Sequence, residues 1–217
     1  MRKFEYLLSI PKTVFLNFKL FGMKTAIKCP IYIHYKTQLG IITRNSVKID
    51  KIYPGVVRIG FEGTEGVKNC EGKGFLEIGK NGYIHFKENA NWGRNATIRI
   101  NGQMEIGKNF SINCNSFISV HSSLKIGDDF LGGWNVTILD SDNHILKYNN
   151  NQNLPEPIKI GDHVWICSFV DIIKGSSISD NSVVGYRTLV NKKIVESNVL
   201  IVGSPAKVVK TDIIWEK

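Results

Sequence analysis

IGDHVWICSFVDIIKGSSISDNSVVGYRTLV, residues 160–190, sets an aliphatic side chain at every sixth position: Ile160, Ile166, Ile172, Ile178, Val184 and Val190. A count of six suits neither regular element alone. An amphipathic helix repeats its apolar face at three and four residues, and a half-buried strand repeats it at two. The count does suit a parallel β-helix of hexapeptide repeats, in which each flat face of a prism turns one aliphatic side chain inward and three faces make a coil of about eighteen residues. A β-sandwich also joins many short strands, but its turns have no reason to hold so strict a spacing.

Upstream, the same count runs through Ile78-Gly79, Ile84 and Ala90, then Ile100, Ile106-Gly107, Ile112, Ile118 and Leu124, and again through Ile126-Gly127, Gly132 and Ile138. Gly79, Gly107, Gly127 and Gly161 are expected at corners that need special backbone dihedrals. The rhythm stops in TILDSDNHIL, residues 137–146, where the next inward slot is filled by His144, and it restarts at Ile160. Residues 140–158, with Asn149, Asn150, Asn151, Asn153, Pro155 and Pro157, read as an excursion from the stack. Insertions on one face of a solenoid are where binding concentrates. The expected organisation is a basic N-terminal segment at 1–60, a β-helix at 61–210 carrying the excursion, and a tail at 211–217. The stack leaves strand edges at both ends, which the N-terminal segment and the tail would cover.

The chain has 217 residues, enough for one sizeable core, and no run of eighteen apolar residues that would cross a membrane as a helix. Pro11, Lys12 and Lys19 interrupt the apolar stretch that a cleaved signal peptide would need. Cys29, Cys70, Cys114 and Cys167 show no CxxC spacing and read as free thiols in a reducing compartment, so a cytoplasmic protein is expected. Residues 1–60 hold 11 Lys and Arg against 2 Asp and Glu, which accounts for the whole net charge of +9. A helix is expected from about Pro11 to Leu20, with short strands over 25–60 that read either as separate strands or as the first irregular coils of the stack. Phe4, Tyr6, Leu7, Leu8, Val14, Phe15, Phe18 and Phe21 are interleaved with the lysines. Two readings stand: residues 1–24 lie on an anionic membrane surface, or a helix packs its aromatic stripe on the domain and leaves its lysines in water. No nucleic-acid motif accompanies the charge.

IGKNFSINCNSF, IGDDFLGGWNVTILDSDNHIL and the stretch 160–210, ending GSPAKVVK, resemble hexapeptide-repeat acyltransferases, in particular the sugar O-acetyltransferase branch that includes maltose, galactoside, capsule and O-antigen acetyltransferases. The resemblance covers about residues 76–210. It implies an all-β, left-handed parallel β-helix, a homotrimer, and acetyl-CoA bound in a groove between neighbouring subunits. The implied acceptor is a hydroxyl of a saccharide or of a lipid- or nucleotide-linked glycan precursor.

His144 matches the family's catalytic histidine, and an imidazole near its native pKa is suited to taking a hydroxyl proton at neutral pH. Asn113 matches the asparagine that orients the acceptor, while Asn115 is the alternative and suits a corner ladder. Asp140 and Asp142 are candidates to hold the imidazole, with Asp142 taken as the site residue, or to cap the loop. The resemblance further implies Trp165 beside the cofactor groove, the Ser168 N–H at the thioester oxyanion, Asn191 and Lys192 along the pantetheine path, and Lys207 and Lys210 at the CoA phosphates. Cys167, Tyr186 and Arg187 stand where relatives carry small residues, so they would narrow or redirect that path. A covalent acyl-cysteine route through Cys167 would need a depressed thiol pKa. No metal is expected: a γ-carbonic anhydrase needs three converging histidines, and His121, His144 and His163 lack the spacing of that family's close pair. The alternatives are a non-catalytic glycan-binding scaffold and an N-acyltransferase acting on an amino-sugar.

Overall fold

A computed structural model describes residues 2–62, 70, 72–148 and 151–216, so Asn149 and Asn150 of the excursion lie outside the described residues. The described strands form three long sheets of nine, seven and seven strands, beginning at Ile31–Ile33, Gln38–Ile42 and Val47–Ile49. The chain visits the first, second and third sheet in turn, and each strand pairs in parallel with the coils above and below; it is a left-handed parallel β-helix. Down the second sheet Leu76, Ile98, Ile118, Ile138, Ile172 and Val190 stand over one another, and all are buried. Down the third, Phe86, Ile106, Ile126, Ile160, Ile178 and Ile194 do the same. Partners are 20 residues apart at Ile98, Ile118 and Ile138 but 18 apart at Ile172 and Val190. The extra pair lies on the third sheet, where the longer coils turn two side chains inward, Met104 with Ile106 and Leu124 with Ile126. That is why the upstream sequence reads as broken series.

The winding starts earlier than the expected boundary: strand Val57–Glu62 runs across position 61, and the first coil begins at Ile31. The third sheet's outward positions, among them Lys48, His85, Glu105, Lys125, Lys159 and Lys193, are charged or titratable and suit solvent. Helix α1 (Arg2–Leu20) also starts earlier than expected and runs through Pro11. Its first half is held by tertiary contacts that local propensity does not record. Glu5 pairs with Arg94 at 2.7 Å, and Tyr6 stacks on Phe61 with centroids 4.3 Å apart.

The helix caps the top of the stack in a specific way. Asn17 Nδ2 donates to the Ile31 carbonyl at 2.7 Å, and Asn17 Oδ1 accepts the Ile31 N–H at 3.2 Å. Thr13 Oγ1 does both for Ile33, and Ser9 Oγ accepts the Tyr35 N–H. Residues 9, 13 and 17 are one turn apart and therefore share a face, which here substitutes for a neighbouring strand along the exposed edge. Leu16 and Leu20 are fully buried beside it, whereas Phe4, Leu7, Phe15 and Phe18 face outward. Of the apolar stripe, Tyr6 and Phe21 pack on the domain and the other members face outward. At the other end, strand Lys207–Lys210 folds back antiparallel on Leu200–Val202, and Trp215 stacks on His163 with centroids 4.0 Å apart.

Two expectations are corrected. Cys70 and Cys114, read as free thiols, are disulfide-bonded across Cα atoms 5.7 Å apart; Cys29 and Cys167 are free. Gly107, Gly127 and Gly161 do not adopt positive φ. They are glycines for lack of room: a Cβ at Gly107 would stand 2.3 Å from the Gly127 carbonyl oxygen, and one at Gly161 2.1 Å from Asp180 Oδ1.

Candidate active site

The edge between the first and second sheets is a column of left-handed residues. Asn95, Asn115 and Asn135 take φ of 57°, 61° and 55°, the region that asparagine tolerates best after glycine. Asn95 Nδ2 donates to Asn115 Oδ1 at 2.9 Å, so Asn115 serves the corner ladder. In the two lower coils the same corner is held by Phe169 (φ 59°) and Arg187 (φ 55°), residue types for which this conformation is strained. Their side chains cluster with Tyr186: the Phe169 and Tyr186 rings lie 5.4 Å apart, and the Arg187 guanidinium sits 5.5 Å and 5.4 Å from the two ring centroids.

Asn113, half-buried at the end of strand Phe110–Ile112, lies on this edge with Cys167 and Ser168, which follow strand Trp165–Ile166. Gly133 matters here, although sequence reading did not single it out. A Cβ on it would stand 2.6 Å from the Ser168 nitrogen, so glycine lets the two coils approach closely at Ser168. The paired glycines 132–133 were the available signal. Trp165 is partly exposed, 5.9 Å from Trp215 between centroids. Burial pushes the Cys167 thiol above its ordinary pKa, which reduces the thiolate and opposes a covalent acyl-cysteine route. Tyr186, 57% exposed, stands outward from this edge.

His144 belongs to the excursion rooted at the other side of the second sheet, between its strand Thr137–Leu139 and the third-sheet strand Ile158–Ile160. It is exposed, and its carbonyl accepts Asn153 Nδ2 at 3.0 Å. The root is rigid. Asp140 is buried and accepts the N–H groups of His121 and Ser122, both at 2.7 Å, while its own carbonyl accepts the Glu156 N–H. Burial raises the Asp140 pKa, and those two N–H bonds work against the rise. Asp142 is exposed and engaged by Lys174 Nζ and Asn153 Nδ2, whose hydrogen bonds hold its carboxyl below the ordinary range. Lys174 was not foreseen, since nothing in the linear sequence joins it to the loop. Asn191 and Lys192 are exposed on this same edge, between strands Leu189–Val190 and Lys193–Ile194; Lys207 and Lys210 are exposed on the terminal antiparallel strand.

One chain therefore divides the foreseen residues between two edges. Asn113, Cys167, Ser168 and Tyr186 share one; His144, Asp142, Asn191 and Lys192 share the other. The intervening second-sheet strand spans about 10 Å. The chain's own groups have chemistry that fits an acyl-CoA: exposed ammonium groups at Lys207 and Lys210 suit phosphates, and the Trp165 ring and Ser168 N–H suit its apolar arm and thioester oxygen.

No family model matches the chain. In sequence it is 34% identical over 139 residues to galactoside O-acetyltransferase of Escherichia coli K12, covering 63% of this chain and 64% of that protein. It is 29% identical over 157 residues to the putative lipopolysaccharide biosynthesis O-acetyl transferase WbbJ of the same organism, covering 64% of this chain and 80% of WbbJ. The chain thus spans slightly less than two thirds of the galactoside enzyme, and 43% of a Klebsiella pneumoniae protein from the cps region. In structure it resembles the polySia-specific acetyltransferase NeuO with a TM-score of 0.61 and 21% identity, over 87% of this chain and 89% of that one. In sequence the chain is thus similar to sugar O-acetyltransferases, and its left-handed parallel β-helix is the fold it shares with the acetyltransferase NeuO.

Proposed function

We propose that the protein is an acetyl-CoA-dependent O-acetyltransferase acting on a hydroxyl of a saccharide or glycan precursor. The observation that carries the reading is the break in the buried column after Ile138, which leaves an exposed histidine on a loop braced by Asp140, Asp142, Lys174 and Asn153, in a chain 34% identical to a galactoside O-acetyltransferase. In the proposed reaction the His144 imidazole takes the acceptor hydroxyl proton as that oxygen bonds to the thioester carbonyl carbon. The Ser168 N–H steadies the charge on the carbonyl oxygen, Asn113 orients the acceptor, and Asp142 with its partners fixes the loop. The carbon–sulfur bond breaks, and the imidazolium returns its proton to the departing thiolate, leaving an acetyl ester and free CoA.

The division of these residues between two edges supports a homotrimer in which one protomer's His144 edge meets its neighbour's Asn113 edge. Sedimentation velocity should give three times the chain mass; a monomer that transfers acetyl groups would remove this part of the reading. His144→Ala should lower turnover by roughly two to four powers of ten while leaving that assembly intact, and retained activity would end the assignment. Acetyl-CoA should also raise the melting temperature with concentration; no rise, with no thiol released in the presence of sugars, would favour a glycan-binding scaffold.

Peripheral membrane contact belongs to the same reading. Phe4, Leu7, Phe15 and Phe18 of α1, with Met23 and Ile27 beyond it, are exposed within the segment that holds the chain's excess positive charge. Such a face suits anionic lipid. Vesicles containing phosphatidylserine should sediment the wild-type chain and lose it when Phe4, Phe15 and Phe18 are changed to serine. Equal behaviour of the two proteins would dispose of the contact.

A further inference from the structure

His34 has no task in the acetyl transfer, yet its setting is built. It follows strand Ile31–Ile33, is 4% exposed, and its Nε2 is buried without a hydrogen-bond partner. Its Nδ1 accepts the Lys36 N–H at 3.3 Å, which places the ring proton on Nε2. Phe61 meets the ring edge-on at 5.4 Å and Tyr35 flanks it at 4.5 Å, so its direction is fixed. Gly60 packs directly against it: its φ is +86°, and a Cβ there would stand 2.8 Å from His34 Cβ. Burial pushes the imidazole pKa down to about 4, so at pH 7 the ring is a neutral donor.

The cleft into which this ring opens is lined by Glu5, Lys36, Thr37, Arg94 and Asn95 and by Gly60, Gly72 and Gly74. The charges acting on the ring are Glu5 on one side and Arg94, Lys36 and Lys12 on the other. Lys12 is engaged by the carbonyls of Tyr35 and Thr37, and Arg94 by Glu5, which leaves Lys36, exposed at the rim, as the cation most open to a ligand. A buried N–H donor without an acceptor, under a modest excess of positive charge, calls for an acceptor carrying one negative charge. A doubly charged phosphate would meet the Glu5 carboxylate as well.

We propose that this cleft is a subsite for the carboxylate of an acidic sugar, bound by the His34 Nε2–H and the Lys36 ammonium. The ligand class rests on the saccharide reading above. Position agrees with it: the cleft reaches to Asn95, one coil from Asn113, while His34 and Lys36 stand in the first coil, three strand spacings or about 14 Å from the coil of Asn113 along the same edge. Cys70, which lines the cleft, is bonded to Cys114 next to Asn113. A glycan lying along this edge would set an acidic unit in the cleft while presenting a hydroxyl of a more distant unit to the reacting groups.

The test is binding to the full chain without acetyl-CoA, read from the imidazole resonances of His34, which the His34→Phe spectrum identifies. Methyl glucuronide should shift them saturably and methyl glucoside should not, and Lys36→Gln should weaken the glucuronide affinity about tenfold. No response to glucuronide, an equal response to the neutral glycoside, or a response to inorganic phosphate alone would overturn the proposal. Because no acetyl group is transferred, failure of the enzymatic reading would appear separately, as glucuronide binding in a protein that never releases CoA.

Discussion

Aspartate 128, 162 and 180 show how little of a repeat's chemistry the hydrophobic count conveys. Asp128 Oδ1 accepts the Lys108 N–H, Asp162 Oδ1 that of Asp128, and Asp180 Oδ1 that of Asp162, at 2.7 to 2.9 Å. Each Asp follows a Gly or Ser whose small size lets the next coil approach, so the recurring I-G-D is a hydrogen-bonding unit as much as a corner. The sequence made these residues conspicuous, but attributing the glycines to dihedral freedom missed the contact between coils, which exists only once the coils are stacked. His34 was likewise unreadable, because Phe61 and Gly60, which pack against it, belong to the next coil. Its effect on stability has a definite sign. The folded pKa of about 4 lies below the unfolded value of 6.5, so the unfolded chain binds the proton first as pH falls. Stability from this group is intact above pH 6.5 and declines down to about 4, by at most about 1.4 kcal/mol per pH unit. Urea midpoints measured from pH 7 to 4 should fall more steeply for the wild type than for His34→Phe; parallel curves would count against the buried neutral ring.

At the scale of the element, α1 is the piece that sequence patterning described least well. Its hydrophobic residues allow two readings, lipid contact or an aromatic inner stripe; the inner face instead joins Leu16 and Leu20 with polar groups, because its partner is the unsatisfied edge of strand Ile31–Ile33. Backbone groups of an edge need partners, and helical spacing supplies them from Ser9, Thr13 and Asn17. Asn17→Ala should cost about 2 kcal/mol, since it leaves two buried backbone groups unpaired, and should speed hydrogen exchange at the Ile31 and Ile33 amides. An unchanged melting temperature would mean that water replaces the amide without loss.

For the whole molecule, the core was legible because buried aliphatic side chains recur in register, and the break at 140–158 was legible because a histidine with acidic and amide neighbours falls where an aliphatic residue is due. The pairing of distant loops was not: Asp142 with Lys174 and Cys70 with Cys114 depend on how coils stack. A stack in which each layer touches only its neighbours is stabilised layer by layer. Ile118→Ala, in mid-column, should cost about 2–5 kcal/mol, with exchange protection lost first in the adjoining coils. Uniform loss along the chain would instead mark a single cooperative unit.

Because the imidazole of His144 and the amide of Asn113 occupy opposite edges of one face, a defect in either should be repairable from outside the chain. When two inactive variants, His144→Ala and Asn113→Ala, are unfolded and renatured as an equal mixture, roughly a quarter of the junctions should unite an intact histidine with an intact asparagine. Turnover should revive to that fraction, although neither parent alone possesses it. A mixture that stays silent would mean that every chain works with its own residues only.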